Sequence, residues 1–287
     1  MYYAYSVWQW VLVFYLYCFL GWCFESTVVS VSQRRWVNRG FLRGPMLPIY
    51  GFGATILLHI ALPLRAHPAA LFLASMAAAT VFEYLVGVLM ETLFKVKYWD
   101  YSTHRFQFQG RICLQSSLCW GAMGLLLTHF LHPPLEKLVV GLPFWLLLAL
   151  DVLLSAAFLS DVAVSVRTAL DLARVLEELD KLREQGAALR QQLSETAMVQ
   201  LTNLSYRVDE ARSEWTERMD HAYDQVTATK EQLLDRLDEL QRRFDERADS
   251  LSRSRKSMLR GNPSARSKQY DDVLQRLKKH MDAHKRG

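Results

Sequence analysis

Asn38-Arg39-Gly40-Phe41-Leu42-Arg43-Gly44-Pro45-Met46-Leu47-Pro48-Ile49-Tyr50-Gly51-Phe52-Gly53-Ala54 is the stretch around which this chain is organised. Two arginines, four glycines and two prolines stand between two strongly apolar segments. Arg39 and Arg43 offer cationic donors. Gly40, Gly44, Gly51 and Gly53 permit backbone angles and close approaches that other residues resist. Pro45 and Pro48 each remove a backbone donor and hold the chain out of a regular helix. At the edge of a membrane such a stretch reads as a broken or re-entrant helix entry, tolerable where protein or a watery cavity covers its backbone. The plainer reading is a tight cytoplasmic loop.

The apolar segments on either side carry the membrane reading. Trp8 to Val31 is long and apolar enough to span, behind an aromatic belt of Tyr2, Tyr3, Tyr5, Trp8 and Trp10. Further spans are expected at Ile49 to Leu64, Ala69 to Phe94, Ile112 to Leu131 and Leu142 to Val166, with Pro143 in the first turn of the last. No basic region precedes the first apolar run, so that segment is expected to stay as an anchor. Arg34, Arg35, Arg39 and Arg43 lie between spans one and two; Lys95, Lys97, Arg105 and Arg111 lie between three and four. The positive-inside rule then puts the N-terminus outside and the C-terminus in the cytoplasm of a multi-pass cell-membrane protein.

The fold expected is an all-α five-helix transmembrane bundle, followed by a cytoplasmic helical coiled coil. Its regions are residues 1–166 in the membrane, a 167–252 coiled-coil region and a basic 253–287 tail. From Arg167 to Ser252 there are 13 basic against 19 acidic residues; from Arg253 onward there are 11 against 3. Leu172, Val175, Leu179, Leu182, Leu189 and Leu193 form one apolar seam, with Gly186 as its weak point. Leu201, Leu204, Val208, Ala211 and Trp215 form a second seam; Leu233, Leu237, Leu240 and Phe244 form a third. Such seams serve self-association, a partner protein, or helices folding back on one another. Gly261-Asn-Pro263 breaks the helix, and Tyr270 to His284 suits a short basic amphipathic helix. The basic tail is a candidate for anionic lipid or nucleic acid, its plainer reading being a solvated, partly disordered end.

Ionisable groups inside the apolar spans carry the chemistry: Glu25, Glu83, Glu91, Asp151 and Asp161. An intramembrane carboxylate costs a few kcal/mol and therefore usually faces a partner or a cavity. Glu83, Gly87 and Glu91 are spaced by four and share a helix face, the glycine leaving room beside the acids. With Asp100 and Arg111 from the second cytoplasmic loop and Arg39 and Arg43 from the first, they predict an acid–arginine constellation in the cytoplasmic half. Three readings stay open: structural ion pairs, an anion site on the arginines, or carboxylates that move protons or cations. Tyr98-Trp99-Asp100-Tyr101-Ser102 suits an interfacial anchor through Trp99 and Tyr101; its functional reading is a gate, or a carboxylate partner for Arg111 in Asp100. Cys18, Cys23, Cys113 and Cys119 read as buried small hydrophobes. His59, His129 and His132 lack metal-ligand spacing, so neither metal nor cofactor is expected. No P-loop, GxSxG or HExxH is present. Any use of ATP would fall to a separate ATPase subunit.

Gly21-Trp22-x-x-Glu25, the Asn38 to Gly53 run, Glu83 and Glu91, Trp99-Asp-Tyr-Ser102, Gly110-Arg-Ile-Cys-Leu114 and Trp120-Gly121 follow in that order. Together they resemble the bacterial family called putative ABC-transporter type IV, or CmpB-like putative ABC transporter permeases, over most of the first ~165 residues. The resemblance implies a permease-like membrane subunit with no named substrate. The chain departs from the pattern at Met46-Leu47, where a Cys often precedes the second proline, and at Gln107, where Asn is usual. Three functions follow in falling order: a permease component, a non-catalytic scaffold presenting the coiled coil, and an intramembrane enzyme acting on a lipid or isoprenoid phosphate.

Overall fold

The computed structural model describes residues 5–207 and 215–283, with the side chains of 196–226 excepted. Tyr2, Tyr3, Val208 and Ala211 therefore lie outside the described residues, as do the side chains of the rest of the seam from Leu201 to Trp215. The chain is mostly helical: α1 Val7–Gln33, α2 Pro48–Ala61, α3 Pro68–Phe94, α4 Leu114–Leu126, α5 His132–Gly141, α6 Phe144–Arg207, α7 Trp215–Asp249, α8 Arg253–Gly261 and α9 Asp271–Ala283. A two-residue hairpin, β1 Gln107–Phe108 and β2 Ile112–Cys113, precedes α4.

Three helices are long and apolar enough to cross a membrane: α1, α3 and the Phe144–Glu195 part of α6. Lipid contact is written into α3. Leu71, Ser75, Ala79, Glu83 and Gly87 line its buried face at steps of four, while Val81, Leu85 and Leu89 stand exposed opposite them. In water that exposed apolar stripe would be a liability; in a bilayer it is the solvent-matched side. The second expected span is a helix of only 14 residues, about 21 Å against a hydrocarbon core of about 30 Å. The fourth does not stop at Leu131. Pro133 and Pro134 offer no N–H to the turn before them, and a π turn over Leu127–Leu131 carries the helix past them into α5. Residues expected to be a loop are thus helical up to Gly141.

The chain forms two compact units, one running to Ala173 and also holding Arg253–Gln269, the other holding Arg174–Ser252 and the chain from Tyr270. The expected basic tail is therefore divided. Its first part is fixed by backbone hydrogen bonds to the membrane unit, notably Lys97 N to Arg266 O at 2.7 Å and Arg266 N to Lys97 O at 3.0 Å.

In the membrane unit α2 packs on α1 and α3, and α4 packs closely on α3. Small residues set those distances: a Cβ on Gly124 would lie 2.2 Å from Ser75 Oγ, and one on Gly121 would lie 2.8 Å from the Phe72 ring. The core gathers Leu12, Val13, Tyr17, Leu57, Leu58 and Leu147 among others.

In the second unit α7 packs on α9. Arg247 bonds Glu178 at 2.6 Å, Arg183 bonds Asp272 at 2.5 Å, and Arg276 lies over the Phe244 ring at 4.2 Å. Val175, Leu176, Leu179, Phe244, Leu274 and Leu277 are buried. The apolar seams near this end are covered by helices of the same chain.

Candidate functional site

The decisive stretch does not loop freely. After α1 the chain turns at Arg34, in the left-handed region with φ 49°, and runs back beside the helix it has just left. Ser30 Oγ accepts from Val37 N at 2.9 Å, Ser26 Oγ accepts from Arg39 N at 3.1 Å, and Cys18 O accepts from Leu47 N at 2.9 Å. From Ser30 back to Cys18 is about 18 Å of helix. Gly40 makes the course possible: its φ is 133°, and a Cβ there would sit 2.5 Å from Leu47 Cδ2. Pro48 then opens α2 at its first turn, where its missing N–H costs nothing.

Two more backbone donors of this stretch meet a carboxylate. Arg43 N and Gly44 N donate to the two oxygens of Asp161 at 3.2 and 2.7 Å, and Ser165 Oγ donates to Asp161 Oδ1 at 3.2 Å. Asp161 thus stands on α6 as the anion of a small backbone cradle. Arg43 enters the site through its N–H; its side chain is exposed. The sequence singled out Asp161 among the acids of the apolar spans and Arg43 among the candidate arginines; the Gly-Pro bend brings the amides of Arg43 and Gly44 to Asp161.

Glu25 and Arg39 do meet. Arg39 Nε lies 3.6 Å from Glu25 Oε2, and the Tyr50 hydroxyl donates to Glu25 Oε1 at 2.8 Å. The Tyr50 ring reaches over α1 because position 21 is glycine: a Cβ on Gly21 would lie 2.2 Å from Tyr50 Cγ. Gly51 seats against Cys18 and Phe14 in the same way. The Glu25 side chain keeps 31% exposure, so this pair is open on one side.

Beside it lies Glu83, 5% exposed. Tyr101 Oη donates to Glu83 Oε1 at 3.1 Å; Trp120 Nε1 and Ser116 Oγ donate to Oε2 at 3.1 and 3.3 Å. Three donors from two chain segments, the loop before the hairpin and α4, converge on one buried carboxylate, the arrangement that makes such burial tolerable. The Tyr50 and Trp120 rings stand 6.1 Å apart, joining the Glu25 and Glu83 groups. Burial first, then Glu83, hold the Tyr101 phenol well above its usual range, so it remains a donor at any physiological pH.

Glu91 forms a third, closed group. Arg111 Nε and Nη2 both reach Glu91 Oε2, at 3.0 and 2.6 Å. The Arg111 stem crosses Gly87, whose added Cβ would touch it at 3.4 Å, and its Nη1 bonds Gln109. Trp99 Nε1 donates to Arg111 O at 2.9 Å. Asp100 is not the partner of Arg111. It bonds Ser102 N and Oγ at 3.1 and 2.9 Å, closing its own turn against Gly110, which has φ 67°. Among the described residues no cluster of His, Cys, Asp and Glu could hold a metal ion.

A family model matches residues 12–166, the stretch that builds nearly all of this geometry, under the description "Putative ABC-transporter type IV". The chain belongs to this family. With its three apolar helices, it is a membrane protein related to ABC transporters. No curated protein and no solved structure matches it.

Sequence reasoning did not find the roles of Ser26, Ser116 or Asn262. The two serines carry no local signal, because a hydroxyl in an apolar helix usually bonds its own backbone. Asn262 was visible only as the middle of a helix-breaking Gly-Asn-Pro. Asp151 was singled out, and it is 1% exposed with neither carboxylate oxygen bonded.

Proposed function

We propose that this chain is a permease component whose working site is the open pair of Glu25 and Arg39, with Glu83 fixed behind it. The observation that carries this is a difference in closure. Glu91–Arg111 is a short pair at 2.6 Å with the carboxylate 12% exposed, whereas Glu25 and Arg39 are separated by 3.6 Å with the carboxylate 31% exposed. An ion pair already loose in this state can exchange partners without first breaking a tight contact. In this reading α1, α2, α3, the α4–α5 helix and the first part of α6 form five membrane segments. The N-terminus is outside, both arginine-bearing loops face the cytoplasm, and the stretch from Asn38 to Leu47 is a re-entrant segment. Five segments make a narrow pathway, so the permease acts as a homo-oligomer or beside a partner, with ATP hydrolysed on a separate subunit. The basic tail adds contact with anionic lipid.

The test is complementation of cells lacking the chain by Glu25→Gln and Arg39→Lys, read beside the amount of folded protein in the membrane. The expected result is native-like folded protein with lost complementation. Full complementation by both variants would overturn the site.

A scaffold reading is favoured by one observation. Helix α6 runs unbroken from Phe144 to Arg207, so the apolar segment continues directly into the second unit. Its coiled-coil self-association would survive Glu25→Gln and fail on removal of that unit. The third reading, an enzyme on lipid phosphate, would show as lipid turnover abolished by Glu83→Gln.

A further inference from the structure

Arg39 has a second set of partners, and they come from far along the chain. Its Nη1 donates to Gly261 O at 3.3 Å and to Asn262 Oδ1 at 2.9 Å. Asn262 is 3% exposed, and its Nδ2 donates to Gly40 O at 3.1 Å and Met258 O at 2.9 Å. A Cβ on Gly261 would lie 2.6 Å from Asn38 O, so the chain crosses the loop at backbone contact. Beyond Pro263 it continues along the other cytoplasmic-side loop. Ser264 Oγ donates to Tyr98 O at 3.4 Å, Arg266 and Lys97 exchange both backbone hydrogen bonds, and Ser267 Oγ donates to Lys95 O at 2.6 Å. Residues 261–267 thus form a strap over the two loops that carry Arg39 and Tyr101.

The chemistry of the contact names what the strap replaces. Two acceptor oxygens, one carbonyl and one carboxamide, sit on one guanidinium nitrogen. Guanidinium is built for the oxygens of phosphate or carboxylate, and a neutral amide oxygen holds it less strongly than a charged one. We infer that the strap is a tethered lid whose Gly261 carbonyl and Asn262 carboxamide stand in for an oxyanion on Arg39, and that an oxyanion, phosphate above all, binds there when the strap lifts. This rests on the reading of Glu25 and Arg39 as the working site and supplies its regulation. The segment that holds the strap, Arg253–Gln269, is flanked in sequence by chain of the second unit, which ends at Ser252 and resumes at Tyr270.

The lid can be locked without altering the site. Lys97 and Arg266 form a hydrogen-bonded antiparallel pair, for which the Cα separation is about 5.5 Å, inside the range a disulfide spans. The double variant Lys97→Cys/Arg266→Cys is made in a chain whose Cys18, Cys23, Cys113 and Cys119 are replaced. In nanodiscs its Arg39 is modified with phenylglyoxal, an arginine-specific reagent, and followed by peptide mass spectrometry. Oxidised, Arg39 reacts at least tenfold more slowly than in the same protein after reduction, and Asn262→Ala in the reduced chain reacts faster still. Equal rates in oxidised and reduced protein overturn the lid. Inorganic phosphate slows the reduced protein when the anion is soluble; nanodiscs with phosphatidylglycerol slow it relative to phosphatidylcholine alone when the anion is a lipid headgroup. Lid-dependent rates that neither anion changes overturn the oxyanion site and leave the lid standing.

Discussion

Replacing Glu83 by Gln and by Ala separates two sources of stability that a single substitution would merge. Glu83 Oε2 receives Trp120 Nε1 and Ser116 Oγ, and Oε1 receives the Tyr101 hydroxyl. The indole N–H can only donate, whereas the tyrosine hydroxyl can turn and accept. A glutamine therefore keeps its oxygen toward Trp120 and offers its NH₂ to Tyr101. All three contacts survive but lose their charge, a change of about 1–2 kcal/mol. Alanine leaves Trp120 and Tyr101 without an acceptor at about 1–3 kcal/mol each and opens a cavity, so about 4 kcal/mol is expected. The check is unfolding of the purified chain in mixed micelles by titration with a denaturing detergent, with Trp120→Phe closing a double-mutant cycle. Coupling between Glu83 and Trp120 should approach the upper end seen for side-chain hydrogen bonds in membranes, about 1.7 kcal/mol. If Gln destabilises as much as Ala, or if Glu83 and Trp120 prove additive, the three-donor account of this carboxylate is wrong.

Gly21→Ala should cut folded yield sharply, because its Cβ would sit 2.2 Å from Tyr50 Cγ and 2.4 Å from Tyr50 Cβ; Tyr50→Gly, which removes both atoms, raises the yield in the double variant, whereas Tyr50→Phe does not. Gly186→Ala should stabilise α6 by about 0.5–1 kcal/mol, as nothing lies within 4 Å of the added methyl and glycine weakens a helix interior; slower amide exchange between Leu182 and Arg190 reports it. Asp161→Asn should cost about 1–2 kcal/mol in the same micelle titration, because one of the two N–H groups of Arg43 and Gly44 would then face an NH₂.

Apolar length and the four-residue spacing of Glu83, Gly87 and Glu91 were legible in the sequence, because both are local. Helix periodicity alone places Glu83, Gly87 and Glu91 on one face of α3, of which Glu83 and Gly87 are buried. Which arginine meets which acid was not legible, since that depends on where a loop crosses a helix. Arg111 takes Glu91, and Asp100 closes on Ser102, because Gly110 at φ 67° folds the loop back on itself. The prolines after Leu131 were visible too, yet a single π turn absorbs both, an outcome set by neighbours and not by propensity. Asn262 is the hardest case. It lies 223 residues from Arg39, within a run whose composition reads as a solvated basic tail. Only the small residues around it, Gly261 against Asn38 O and Gly40 beneath Leu47, allow the two backbones to touch. Gly40, which lets the first loop run back beside α1, therefore also helps the tail to close over it. A larger residue at either position should loosen the lid before it unfolds the membrane helices.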